Sequence, residues 1–129
     1  MQVPVSKDFL RSTPVISYTP HALRVADGFL FIKQGTAYHR VRIADITYLE
    51  SDNVYINVYI GNNKYLVRNT LDQYLQILNS DQFIRVHRSY VVNINYIDTI
   101  DANHIMINKV SIPTRKTYKD ELLKILRLG

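Results

Sequence analysis

From Phe29 onward the chain alternates apolar and polar residues with the period of short strands. "FLFIK" and "AYHRVRI" flank "QGT", which predicts a hairpin turning around Gly35, and "ITYLES" follows as a third strand. The cleanest alternation is "VYINVYI". It sets Val54, Ile56, Val58 and Ile60 on one face, expected to be core, and Tyr55, Asn57 and Tyr59 on the other, expected to stay available. "GNN", residues 61–63, tolerates positive φ and predicts a tight turn into the partner strand "KYLVRN".

The period then changes. Leu71, Tyr74, Leu75 and Leu78 recur at i, i+3, i+4 and i+7, which predicts an amphipathic helix capped by Thr70 and ended by Asn79. Next come a strand "FIRVH", a turn of helix or loop over "SYVVN" begun by Ser89, and a strand near "NYIDTI". "IMI" and "VSIP" form a last hairpin through Asn108-Lys109. Thr114 is placed to cap a final helix with Tyr118, Leu122, Ile125 and Leu126 along one side. Strands outnumber helices and the connections are short, so the expected class is mostly β, α+β. Pro4, Pro14 and Pro20 interrupt any period before residue 26. Residues 1–26 are accordingly expected to form a linker or docked arm, and residues 27–129 the domain.

A length of 129 residues suffices for one core without staples, and the absence of cysteine excludes thiol nucleophiles, cysteine-ligated metals and disulfides. No signal-peptide core is present, and no run approaches the roughly 18 apolar residues of a membrane span. The expectation is a cytoplasmic protein without membrane contact. Sixteen Lys and Arg against eleven Asp and Glu give +5, which favours an anionic partner. The excess collects beyond Gln82, where Arg85, Arg88, Lys109, Arg115, Lys116, Lys119, Lys124 and Arg127 face only Asp98, Asp101, Asp120 and Glu121.

In "FIRVHRSYVVNINYI" the tripeptide His87-Arg88-Ser89 breaks the apolar alternation. His87 suits acid–base chemistry, or a strand-end bond to nearby backbone. Neither a G-x-S-x-G elbow, an H-E-x-x-H pair nor a phosphate-cradling glycine loop accompanies it. His21, His39 and His104 fit no metal spacing. No enzyme activity, metal or cofactor is expected. Arg88 should project from the strand end, where its planar fork can grip guanine O6 and N7 or a phosphate. Ser89 has two readings, a cap of the following turn or a phosphate contact. Arg85 alternates with Ile84 and Val86, so it should point away from the core and either support Arg88 or touch DNA backbone. Arg115 and Lys116 stand in the first turn of the final helix, against its macrodipole. That placement fits either a shared phosphate or base edge in front of the helix or an ordinary solvated turn.

These residues together resemble the LytTR DNA-binding domain, the output module of many bacterial response regulators. The likeness rests on "FIRVHRSYVVNINYI", with "IADITYLESDNVYI" and "YLVRNTLDQYLQIL" before it and "VSIPTRKTYKDELLKIL" after it, in the family's order from about Phe29 to Leu126. The resemblance implies an elongated, layered β-sheet domain with a few short helices. It implies inter-strand loops that enter successive major grooves of double-stranded DNA, commonly as two copies on repeated half-sites. The implied contact loops are Asp52 to Tyr55, His87 to Ser89 and Thr114 to Lys116. Arg88 and Arg115 match base- or phosphate-contacting positions, and Asn53, Tyr55, Arg85, His87, Ser89, Thr114 and Lys116 complete the set. Family members usually follow a receiver domain or a membrane sensor, absent from this chain. The rival expectation is a protein-interaction module using Tyr55 and Tyr59.

Overall fold

The computed structural model describes residues 24–25 and 28–129. The short strand Arg24–Val25 (β1) pairs with Phe29–Gln34 (β2), which turns at Gly35 (φ +62°) into Ala37–Arg42 (β3). β1 lies on the arm side of residue 26, and the rest of the expected arm falls outside the described residues.

A 3-10 turn, Ile43–Asp45, leads into Ile46–Asp52 (β4), which hairpins through Asn53-Val54 into Tyr55–Ile60 (β5). Gly61 (φ +58°) and Asn62 return the chain as Asn63–Arg68 (β6), so the turn is one residue shorter than "GNN". Thr70 caps the helix Leu71–Leu78 (α1) as expected, its Oγ1 accepting from the Gln73 N–H at 3.1 Å. Asn79 closes the helix in the left-handed conformation.

Phe83–His87 (β7) follows and pairs with Tyr90–Asn93 (β8). The expected turn over "SYVVN" is therefore corrected. Ser89 belongs to a two-residue hairpin turn, and Val91 and Val92 are fully buried strand residues. Each valine faces a different core, so their apolar run has no visible alternation. Beyond the 3-10 turn Ile94–Tyr96 come Thr99–Ile100 (β9), His104–Ile107 (β10) and Val110–Pro113 (β11), with Asn108 and Lys109 both at positive φ in the last hairpin. The last element is the helix Lys116–Ile125 (α2).

The strands form three sheets, β1-β2-β3, β6-β5-β4-β8-β7 and β11-β10-β9. The first sheet and α1 cover one face of the five-stranded sheet, burying Leu30, Ile32, Leu49, Ile56, Tyr74 and Val91 among others. The third sheet and α2 cover part of the opposite face through Tyr48, Val86, Val92, Ile105, Ile112 and Leu122. The result is the layered, mostly β arrangement expected. Ile125 is an exception to the predicted stripe on α2, being 42% exposed, because only Leu122 and Leu126 meet the second core. Among the described residues no helix is long and apolar enough to cross a membrane.

Candidate nucleic-acid interface

Register brings distant loops to one end of the five-stranded sheet. β4 pairs with β5 as far as Asp52↔Tyr55, and with β8 through Glu50↔Tyr90. The Asn53-Val54 turn and the Arg88-Ser89 turn are therefore neighbours, joined by the Ser51 N–H donating to the Ser89 carbonyl at 2.9 Å. The third loop is tied to the same end through Val86. Its carbonyl accepts from the Thr114 hydroxyl at 2.7 Å and from the Arg115 N–H at 3.3 Å. Residues 53, 88 and 115 are far apart in sequence and gathered in space.

The Arg88-Ser89 turn is braced from behind. A bulge between Arg85 and His87 takes Val86 out of the ladder, so that His87 sits opposite Tyr90. Arg85 falls on the side of α1, where its guanidinium donates to the His87 carbonyl (3.0 Å), the Arg88 carbonyl (2.5 Å) and the Asp72 carboxylate (2.7 Å). This is the supporting role among the two expected for it. His87 Nδ1 accepts from the Ser89 N–H at 3.1 Å, which requires a neutral ring with its proton on Nε2. Burial, then the charges of Arg115, Arg88 and Arg85, hold this imidazole below its ordinary pKa. Three arginines thus bear on one ring.

The side chains of Arg88 and Arg115 are exposed, and neither guanidinium has a hydrogen-bond or ion-pair partner among the described residues. Asn53 stands exposed at its tip with φ 62°. Lys116 is exposed and paired with Asp120 at 2.7 Å, a bond that raises its pKa. Thr114 departs from expectation. Its side chain is 2% exposed and its hydroxyl is committed to Val86, so it anchors the loop and is not available to a partner. Nor does it cap α2: Arg115 is the N-cap, without a side-chain cap bond, and no acidic residue occupies the first turn. The positive end of α2 and two cations share one place.

The face carrying Tyr55, Asn57 and Tyr59 is largely occupied. Glu50 accepts from Asn57 Nδ2 (3.2 Å), Tyr59 Oη (2.9 Å) and Tyr90 Oη (2.8 Å), while the Tyr59 ring stacks on Tyr48 with centroids 4.2 Å apart. Burial raises the pKa of Glu50, but the three donors and the charge of Lys64 outweigh it and leave the carboxyl below its ordinary value. Burial and the bond to Glu50 push Tyr90 up to about 12. Asn57 is 5% exposed and Tyr59 half-buried, so of the two tyrosines expected to hold a partner protein only Tyr55 is open.

Three participants escape a residue-by-residue reading: Glu50, which ties β4, β5 and β8 together, Asp72, which holds Arg85, and Arg68. Arg68 lies opposite Tyr55, its guanidinium 6.0 Å from the ring centroid. Among the described residues no group of three or more His, Asp or Glu side chains is arranged to hold a metal ion.

The chain is similar to known proteins over this whole region. It is 35% identical over 105 residues to the sensory transduction protein LytT of Bacillus subtilis, covering 77% of this chain and 44% of that protein. With LytT of Bacillus anthracis the identity is 34% over 94 residues, covering 68% and 38%. The chain spans less than half the length of these relatives. Its fold is similar to that of a solved LytTr DNA-binding domain from Bacillus cereus, with a TM-score of 0.68 and 23% identity over 77% of this chain and 96% of that one. Residues 36–127, from the first hairpin to the end of α2 and including all three loops, match the LytTr DNA-binding domain, and the chain belongs to that family.

Proposed function

We propose that this domain binds double-stranded DNA sequence-specifically to regulate transcription, placing the three gathered loops in major grooves of repeated half-sites. The observation that carries the reading is the pair Arg88 and Arg115, exposed and with no hydrogen-bond or ion-pair partner among the described residues, at one end of the five-stranded sheet. A guanidinium without an internal partner is ready to make a bidentate contact with guanine O6 and N7. In this reading Arg88 and Arg115 are the base readers, Asn53 extends the contact from the neighbouring tip, and Lys116 meets phosphate. Arg85 works from behind, keeping the Arg88 backbone fixed. His87 and Ser89 shape the turn through their mutual bond, leaving Nε2–H and the Ser89 hydroxyl for the partner. Two copies would sit on adjacent half-sites, and a receiver or sensor domain, in the same protein or another, would control them. The domain performs no chemistry in this account.

The test is a binding comparison on a site selected from random duplexes. Arg88→Ala should lose about 1 to 3 kcal/mol on the selected site and much less on random DNA. Equal losses on both would make Arg88 a phosphate clamp, and failure to select any sequence would overturn the function itself.

A further inference from the structure

Resting on the DNA-binding reading, we propose that Arg68 is a fourth DNA contact, directed at a backbone phosphate outside the groove that Arg88 enters. Cross-strand partners point to the same face of an antiparallel sheet. Arg68 pairs with Tyr55 and Tyr55 with Asp52. Two residues back along β4, Glu50 pairs with Tyr90, which pairs with His87. Arg68 therefore shares an end and a face with the His87 turn, although β6 lies at the opposite edge of the sheet. It is exposed and has no carboxylate partner among the described residues. The partly exposed Tyr55 ring beside it limits where its side chain can swing.

Distance decides what Arg68 can reach. The strand order β6-β5-β4-β8-β7 puts three and a half interstrand gaps between Arg68 and the Arg88 turn. At about 4.8 Å per gap that is roughly 17 Å. A major groove is about 12 Å wide, so with Arg88 on base edges, Arg68 stands beyond the groove wall, over phosphates. On a duplex lying along the row of tips, 17 Å corresponds to about five nucleotides of one strand at 3.4 Å each. Such a contact adds affinity without sequence preference.

The experiment measures wild type, Arg68→Ala, Arg68→Lys and Arg88→Ala on the selected site, on random duplex, and on the selected site trimmed on either flank. Arg68→Ala should weaken cognate and random DNA by the same factor and reduce the magnitude of the salt slope by about 0.9, with Arg68→Lys recovering part of both. Trimming one flank should make wild type and Arg68→Ala equal, while the loss caused by Arg88→Ala persists. The inference is overturned if Arg68→Ala binds like wild type on the full site, or if it relaxes preference at a particular base. Loss of selective binding by the wild type would instead overturn the parent reading. Unchanged urea midpoints are expected for all the variants, since neither arginine is buried.

Discussion

The Nδ1 atom of His87 accepts from a backbone N–H two residues on, so the Arg88 turn keeps its shape only while the ring is neutral. Its pKa in the fold is held below the ordinary 6.5, so the unfolded chain takes up this proton first as pH falls. Stability from this group should therefore be complete above about pH 7, decline as pH drops through 6.5, and level off below the folded value. Glu50 works in a separate window. Its depressed carboxyl pKa keeps its contribution intact above 4.5 and loses it only as pH falls through the lower folded value. His87→Asn, whose Oδ1 can stand where Nδ1 does, should abolish the decline in urea midpoints as pH drops through 6.5. A mutant with the same decline would show that another group titrates there. "VHRS" allowed a strand-end bond between this histidine and nearby backbone, and that bond forms; the tetrapeptide could not carry the charge of Arg115, which another loop brings to bear on the ring.

Among the elements, α2 best shows how local signals and neighbours divide the work. Its start near Thr114 was legible from spacing, but which residue capped it depended on Val86, 28 positions away, which claims the Thr114 hydroxyl. The cap passes to Arg115, leaving Arg115 and Lys116 at the positive end of the helix without an acid in the first turn to offset them. Asp120, one turn further, is the nearest compensation through its exposed pair with Lys116. An exposed pair of this kind contributes little to stability, so Asp120→Asn should leave the urea midpoint indistinguishable from wild type. It should also tighten DNA binding at low salt, because it frees Lys116 and removes a negative charge beside the interface. Fluorescence anisotropy against a labelled duplex would check this, and weaker binding would mean that the pair itself orients Lys116.

For the whole molecule, the charge of +5 is less informative than its distribution. Arg68, Arg88, Arg115 and Lys116 are spread along one end of a five-stranded sheet, so binding should weaken steeply with salt, by about 0.9 in log–log slope for each phosphate neutralised. A slope near zero would count against the electrostatic account. If two copies bind one side of the duplex, the selected site should repeat a short sequence at about 10 to 10.5 base pairs, or a multiple, because only that spacing returns the same groove face. Sites enriched as single, unrepeated sequences would argue for one copy acting alone.

Alternation and turn chemistry, carried by residues a few positions apart, were enough to mark most of the strands, both helices and the hairpin at Asn108-Lys109. The register that places Arg68 was missed by one residue: a three-residue "GNN" turn would set Ile60 against Lys64 and Tyr55 against Asn69, whereas the two-residue turn that forms sets Ile60 against Asn63 and Tyr55 against Arg68. Strand order was not readable in this way, because nothing local says that β4 lies beside β8. That adjacency alone lets Tyr90 reach Glu50 across 40 positions and sets the Asn53 and Arg88 turns side by side. The bulge at Val86 and the bond from Arg85 to Asp72 likewise depend on what folds against β7. Residue types along the chain thus determined the elements and the candidate cations. Tertiary structure decided which cations stay open to a partner and which brace the turn, because hydrogen bonds and burial between distant segments exist only once the sheets have assembled.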